Sequence, residues 1–174
     1  TLALNPEIIQ APKDPAAADF TAVRNLIIDT NTIIHDRNIT ALTGKDAIQI
    51  YRTDAAPPVN LSGRQHFHEV MKGRRYVSDI LVSRSTGKKI IVLAVPVKDK
   101  LNYPIGMLQR NFNLEVIQRF VQSVIPEDTT VIVMDREGKT IAHSRHKNYP
   151  LEDETATSRY KYLADMATDF TGSY

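Results

Sequence analysis

The 174-residue chain contains no cysteine, which removes disulfides, thiolate metal sites and a cysteine nucleophile from consideration. No stretch approaches the roughly 18 consecutive apolar residues that a membrane-crossing helix needs. Charge of one sign is also missing as a block. The formal net charge is +2, with Lys and Arg scattered among Asp and Glu, whereas a nucleic-acid partner calls for a concentrated basic face. The one basic knot, Lys72 to Arg75 around Gly73, reads as the solvated end of a helix, where cations suit the dipole. No G-x-S-x-G, P-loop or G-x-G-x-x-G motif occurs and no carboxylate pair stands out, so neither catalytic residues nor a cofactor is expected. His66 and His68 are two apart and His143 and His146 three apart. On a helix the first pair diverges, and neither pair has an acidic partner at ligand spacing, so no metal site is expected. Glu152-Asp153-Glu154 reads as solvated loop. The chain begins at Thr1 without an initiator Met. It is expected to be an excised or processed piece, so missing targeting segments carry no weight.

What is present is a core. Hydrophobic residues make up 42% and charged residues 24%, ordinary usage for one globular domain or one domain and part of another. Asn5-Pro6 and Asp14-Pro15 each pair a capping residue with proline at the first helical position. The second leads into an amphipathic stripe of Phe20, Val23, Ile27, Ile33 and Ile34, which polar Asp36-Arg37-Asn38 ends. Strand formers follow at 39–42 and 47–51 around Thr43-Gly44-Lys45-Asp46. Ser62 and Gln65 read as a capping box for a short helix, with Gly73 as its stop. Residues 76–83 and 88–97 flank Ser85-Thr86-Gly87 as a hairpin. The unbroken apolar run Ile90–Val95 suggests a strand covered on both faces. A third strand at 105–113 leads to a helix at 114–124 with Ile117, Phe120, Val121 and Val124 on one side. A second hairpin, 130–134 and 139–144, turns at Asp135-Arg136-Glu137-Gly138, and loop and helix close the chain. The expected class is α+β, an antiparallel sheet with helices on one side. A lone two-stranded hairpin is marginal in water, so the second hairpin either joins the first sheet or opens another module.

Several stretches, in order, resemble the double Cache family of PAS-like extracytoplasmic sensors in bacterial chemoreceptors, histidine kinases and diguanylate cyclases. Asn60-Leu61-Ser62-Gly63-Arg64-Gln65-His66-Phe67 is similar to its helix start. Tyr76–Asp79, Ser85–Lys88 and Ala94–Val97 resemble its central hairpin, and Ile105–Leu108 with Asn111–Leu114 its last strand and helix entry. Val133–His143 resembles the first hairpin of its membrane-proximal module. The resemblance implies a helical lead-in over 1–38, a membrane-distal PAS-like module over 39–125 and a partial membrane-proximal one over 126–174. It further implies a receptor in the cell membrane, a chemoreceptor in the first instance, with membrane helices outside this chain. This domain would lie outside the cytoplasm, dimerise with a second copy in the full receptor and bind a small molecule. A kinase or cyclase sensor, a protein-interaction module with a side-chain-filled pocket, and a cytosolic PAS-like domain of an enzyme are the alternatives.

In that family an Arg and a following aromatic hold a ligand carboxylate, while a Tyr, an Asp and a last-strand Asp hold its amine. The matching positions here are Arg64, His66, Leu81, Ser83 and Asn111. Phe67 adjoins them, and strand alternation adds Gln109 to the face of Met107 and Asn111. Leu81, Ser83 and Asn111 supply no negative charge, and a desolvated ammonium without a paired anion is costly. Arg64 and His66 still suit an oxyanion. The expected ligand is therefore a small carboxylate or a neutral polar metabolite. The competing structural roles are a loop tie for Arg64, a buried histidine satisfied by backbone for His66, and a cap for the next helix for Asn111.

Overall fold

After a 3-10 turn at Leu2–Leu4, helix α1 (Pro6–Lys13) opens at Asn5, whose Oδ1 accepts the Glu7 N–H at 2.9 Å, with proline at the first position. The computed structural model describes residues 2–33, 38–126, 128–135 and 139–145. Helix α2 (Phe20–Ile33) does not open at Asp14-Pro15 as the sequence suggests. Asp14 closes α1 and turns the chain, its Oδ1 accepting the Ala17 N–H at 3.3 Å. The cap of α2 is Asp19, which accepts from Thr21 and Ala22 at 2.9 and 3.1 Å. Val23 and Ile27 are buried, but Ile33, expected in the same stripe, is 76% exposed. Ile34 and Asp36-Arg37 lie outside the described residues.

One sheet contains β1 (Ile39–Gly44), β2 (Gln49–Arg52), β3 (Tyr76–Val77), β4 (Leu81–Val82), β5 (Lys89–Lys98) and β6 (Pro104–Asn113). Its order is β2-β1-β6-β5, with β3 and β4 both on the outer side of β5. The pairs β1–β2, β1–β6, β3–β5 and β4–β5 are antiparallel. The single strand expected at 76–83 is split because Ser78 intervenes. Its Oγ accepts the Val92 N–H at 2.8 Å while its own N–H donates to Val92 O at 2.9 Å.

Alternation sends neighbouring residues of β6 to opposite faces. Leu108, with Leu42 and Val97, packs under Ile8 and Ala11 of α1 and Val23 and Ile27 of α2. Met107, with Ile90, Val92 and Ala94, packs against Leu61 and against Phe67 and Val70 of helix α3 (Gln65–Met71). Helices therefore cover both faces, not one, as the two-sided apolar run of β5 requires. Each fully buried Ile, Leu or Val contributes about 1.5–3 kcal/mol. Gly106 permits the close approach of β1 and α1: a Cβ there would sit 2.6 Å from Thr43 O and 2.8 Å from Pro12 Cβ.

Helix α3 has no capping box. Its N-cap is Arg64, without a side-chain cap, and Ser62 instead donates its N–H to Asn60 Oδ1 at 2.8 Å. Gly73, at φ +85°, ends it in the left-handed conformation that suits glycine. Lys72 and Arg74 pair with Glu69 at 2.6 and 3.2 Å, so the basic knot is a helix end.

Contacts divide the chain into Thr1–Phe112 and Asn113–Tyr174. In the second unit α4 (Leu114–Val124) packs on the hairpin of β7 (Ile132–Met134) and β8 (Thr140–His143). The sequence reading draws its module boundary after this helix, near residue 125; the contacts group the helix with the hairpin. Its buried stripe is Leu114, Gln118 and Val121, while Phe120 and Val124, expected inside, are 63% and 53% exposed. The reason is polar. Gln118 Nε2 donates to His143 O and Gln118 Oε1 accepts the His143 N–H, each at 2.8 Å, holding that face on β8. The turn residues 136–138, His146, Glu152-Asp153-Glu154 and the expected closing helix lie outside the described residues.

Candidate functional site

The face of the sheet under α3 is apolar at one end and polar at the other. Met107 lies at the dry end, Ile90 and Val92 pass from the core into the wall of a pocket, and Gln109 and Asn111 of β6 carry the row on into it. Its walls are the loop and helix start at Val59, Leu61, Arg64 and His66, and the strand and turn at Leu81, Ser83, Arg84 and Ser85. The space, open to solvent at its mouth, is about 300 Å³.

Six of the seven residues singled out from the sequence meet there: Arg64, His66, Leu81, Ser83, Gln109 and Asn111. The seventh, Phe67, does not. It is one position further round α3 than His66, about 100° away, and it packs into the core with Val70 and Met107. Asn111 does not cap the following helix; that role falls to Asn113, whose Oδ1 accepts the Glu115 N–H at 3.2 Å. Arg64 does tie a loop, its Nη2 donating to Val82 O at 2.9 Å, yet it lines the pocket as well.

Gln49, Arg52, Arg84 and Ser85 join the pocket without having been singled out. Gln49 and Arg52 are three apart on one strand, so strict alternation would put them on opposite faces. A bulge intervenes: Leu42 pairs with Tyr51 and Thr43 with Gln49, leaving Ile50 as the extra residue. The bulge restores both side chains to one face, and no periodicity in the sequence signals it. Arg52 is then fully engaged. It donates to both Asp54 oxygens at 2.9 and 2.6 Å, to Gln49 Oε1 at 2.7 Å and to Ser85 Oγ at 2.9 Å. Ser85 lies 3.2 Å from Ser83 Oγ, so Ser83 belongs to this supporting network.

The charge balance is one-sided. Asp54 neutralises Arg52, but Arg64 and Arg84 have no carboxylate partner among the described residues; their bonds go to the carbonyls of Val82 and Asn60. Burial, then the nearby Arg84 charge, lowers the Arg64 pKa. Burial, then the charges of Arg64 and Arg84, pushes His66 down to about 4, so it is neutral at pH 7. Among the described residues no Asp or Glu lines the pocket.

Two buried polar atoms here have no partner: His66 Nε2 and Gln109 Oε1. Gln109 Nε2 donates to Asn111 Oδ1 at 2.9 Å, which leaves its oxygen unused. A buried polar atom without a hydrogen bond costs about 1–3 kcal/mol, so the inner pocket favours a hydrogen-bonding occupant. His66 is therefore not satisfied by backbone. His68, two residues on, is exposed, and among the described residues no three acidic or histidine side chains gather as metal ligands.

No family model matches the chain. No curated protein matches it either. Solved structures do. The ligand-binding domain of the Campylobacter jejuni chemoreceptor Tlp3, in complex with 4-methylisoleucine, aligns with TM-score 0.60 and 13% identity over 92% of this chain and 62% of that one. The sensor domain of the V. cholerae histidine kinase DctB aligns with TM-score 0.64 and 14% identity over 97% of this chain and 67% of that one. The ligand-binding domain of the Pseudomonas aeruginosa PAO1 amino acid chemoreceptor PctB, with L-Arg, gives TM-score 0.57 and 11% identity over 84% and 61%. The chain shares the fold of these ligand-binding and sensor domains. The chain thus spans about three-fifths to two-thirds of the length of these sensor domains. The sheet, with the antiparallel pairs described above, agrees with the α+β expectation. Among the described residues no helix is long and apolar enough to cross a membrane.

Proposed function

We propose that this chain is the extracytoplasmic ligand-sensing part of a transmembrane signalling receptor, and that its pocket binds a small metabolite through a carboxylate. The observation that carries the ligand class is the pair of guanidiniums, Arg64 and Arg84, that share a pocket with no acidic residue. Cations whose internal partners are only neutral carbonyls gain most from an anion, and Arg–carboxylate bonds are the strong, charge-assisted kind. Tlp3 and PctB were solved with amino acids. Here an ammonium would enter a site without a carboxylate and beside uncompensated positive charge, a costly arrangement. The receptor fold therefore supports sensing, and the lining argues against an amino acid as the signal.

In the receptor, helices outside this chain would carry it in the membrane and a second copy would complete the dimer. The organisation into a membrane-distal module that holds the ligand and a membrane-proximal one that relays it is part of the same reading. An anion drawing Arg64 away from Val82 O and Arg84 away from Asn60 O would shift the loop before α3 against β4. That differential contact is what a sensor needs to bias two states.

The test is a thermal-shift and calorimetric screen of carboxylates, amines, amino acids and sugars against this chain. Carboxylates should raise the melting temperature. Arg64→Ala and Arg84→Ala should each weaken binding by about tenfold or more, the worth of one charge-assisted hydrogen bond. Binding of amines alone, or unchanged binding in both variants, would sink the proposal.

A further inference from the structure

The pocket is cationic at its mouth and neutral but polar inside, and this asymmetry says more about the ligand than its charge. Arg84 is exposed and Arg64 half-buried, whereas His66 and Gln109 are only 3% and 4% exposed and Asn111 is buried. The unpartnered atoms, His66 Nε2 and Gln109 Oε1, belong to the inner set.

We infer that the ligand is a small hydroxycarboxylate, its carboxylate held by Arg64 and Arg84 at the mouth and its hydroxyl by Gln109, Asn111 and His66 inside. This rests on the carboxylate reading above. A hydroxyl both donates and accepts. It can donate to Gln109 Oε1, and it serves equally if both amides are turned end for end so that Gln109 offers an N–H. The neutral imidazole of His66 can likewise give or take one hydrogen bond. A methylene in the same place would leave Gln109 and His66 unsatisfied. An ammonium could serve the Gln109 oxygen but would bring an unpaired charge into the interior, toward two guanidiniums.

The experiment is isothermal titration of this chain with matched pairs: lactate against propionate, malate against succinate, and alanine against lactate. The hydroxylated member should bind about tenfold tighter or more than its deoxy partner, since a site built for a hydroxyl rejects the analogue lacking one. Alanine should be the weakest of its series. In Gln109→Met, which keeps the bulk and removes the amide, the hydroxyl advantage should shrink to about threefold or less while the deoxy acids still bind. Equal binding within the pairs, or tighter binding of the deoxy acids or of alanine, overturns the hydroxycarboxylate assignment. No binding by any carboxylate overturns instead the reading on which it rests. The wild-type comparison decides the matter even if the variant fails to fold.

Discussion

Arg52 and Asp54 are joined by two parallel hydrogen bonds, Nε to Oδ1 at 2.9 Å and Nη2 to Oδ2 at 2.6 Å. This pairing decides the pocket's charge: it cancels Arg52 and leaves Arg64 and Arg84 as the uncompensated cations.

Asp54→Asn should therefore do two things. It strands a guanidinium whose side chain is 4% exposed, which should destabilise the first unit by about 1–3 kcal/mol. The lower figure than for a fully buried pair reflects the 23% exposure of Asp54. It should also tighten anion binding by adding a third uncompensated cation. Urea unfolding and titration with a carboxylate check both. Burial pushes the Asp54 pKa up, but the hydrogen bonds and charge of Arg52 and the Ala56 N–H outweigh it and hold it below the ordinary value of 3.8. Its stabilising contribution is thus present above pH 3.8 and is lost as pH falls through the lower folded value.

His66 makes the opposite kind of demand. It is buried neutral with a pKa of about 4 against an ordinary 6.5, so the unfolded chain takes up the proton first as pH falls. Stability should decline between pH 6.5 and pH 4, by an amount on the order of 3 kcal/mol if no other group intervenes. His66→Gln should flatten this window. A His66 imidazole, assigned by its loss in His66→Gln, that titrates near pH 6.5 by NMR in the folded chain would contradict the burial argument.

Gly106→Ala should destabilise the first unit by about 1–3 kcal/mol, the range for overpacking. The new methyl would meet a backbone oxygen at 2.6 Å, which cannot swing aside as a side chain can. Gly87→Ala is the comparison: its Cβ meets nothing within 4 Å, so only the strain of its φ of +68° remains. A smaller loss at Gly106 than at Gly87 would show that β1 and α1 both yield easily.

In the second unit, Gln118→Leu removes both bonds to the His143 backbone at similar volume. The expected cost is about 1–3 kcal/mol, because buried peptide groups lose partners. Hydrogen exchange should quicken at the β8 amides and stay unchanged in β5 and β6. Quickening in both would show that the clamp also serves the first unit.

Much of the fold was readable from the residues. The capping of α1 by Asn5, the two-sided burial of β5, the row Met107, Gln109 and Asn111 and the hairpin of β7 and β8 all follow from local chemistry or a period of two. The misplacements have physical causes. Asp19 outcompeted Asp14 because Asp14 was already committed to a turn. Phe120 and Val124 lost the inward face of α4 to Gln118, whose two hydrogen bonds to the His143 backbone hold that side of the helix on β8.

For the site, the sequence by itself determined what is absent: the candidate positions Arg64, His66, Leu81, Ser83, Gln109 and Asn111 include no acid. Strand alternation puts Gln109 on one face with Asn111, whereas Arg64 and His66 join them through the family resemblance and not by any period. Only the tertiary structure decided that Gln49 and Arg52 turn the same way, since that takes a bulge at Ile50. It alone showed that Asp54 silences Arg52 while Arg84, from a turn distant in sequence, does not have its charge cancelled. A side chain's type is local information. Whether its charge is compensated depends on which remote group the fold sets within hydrogen-bonding distance.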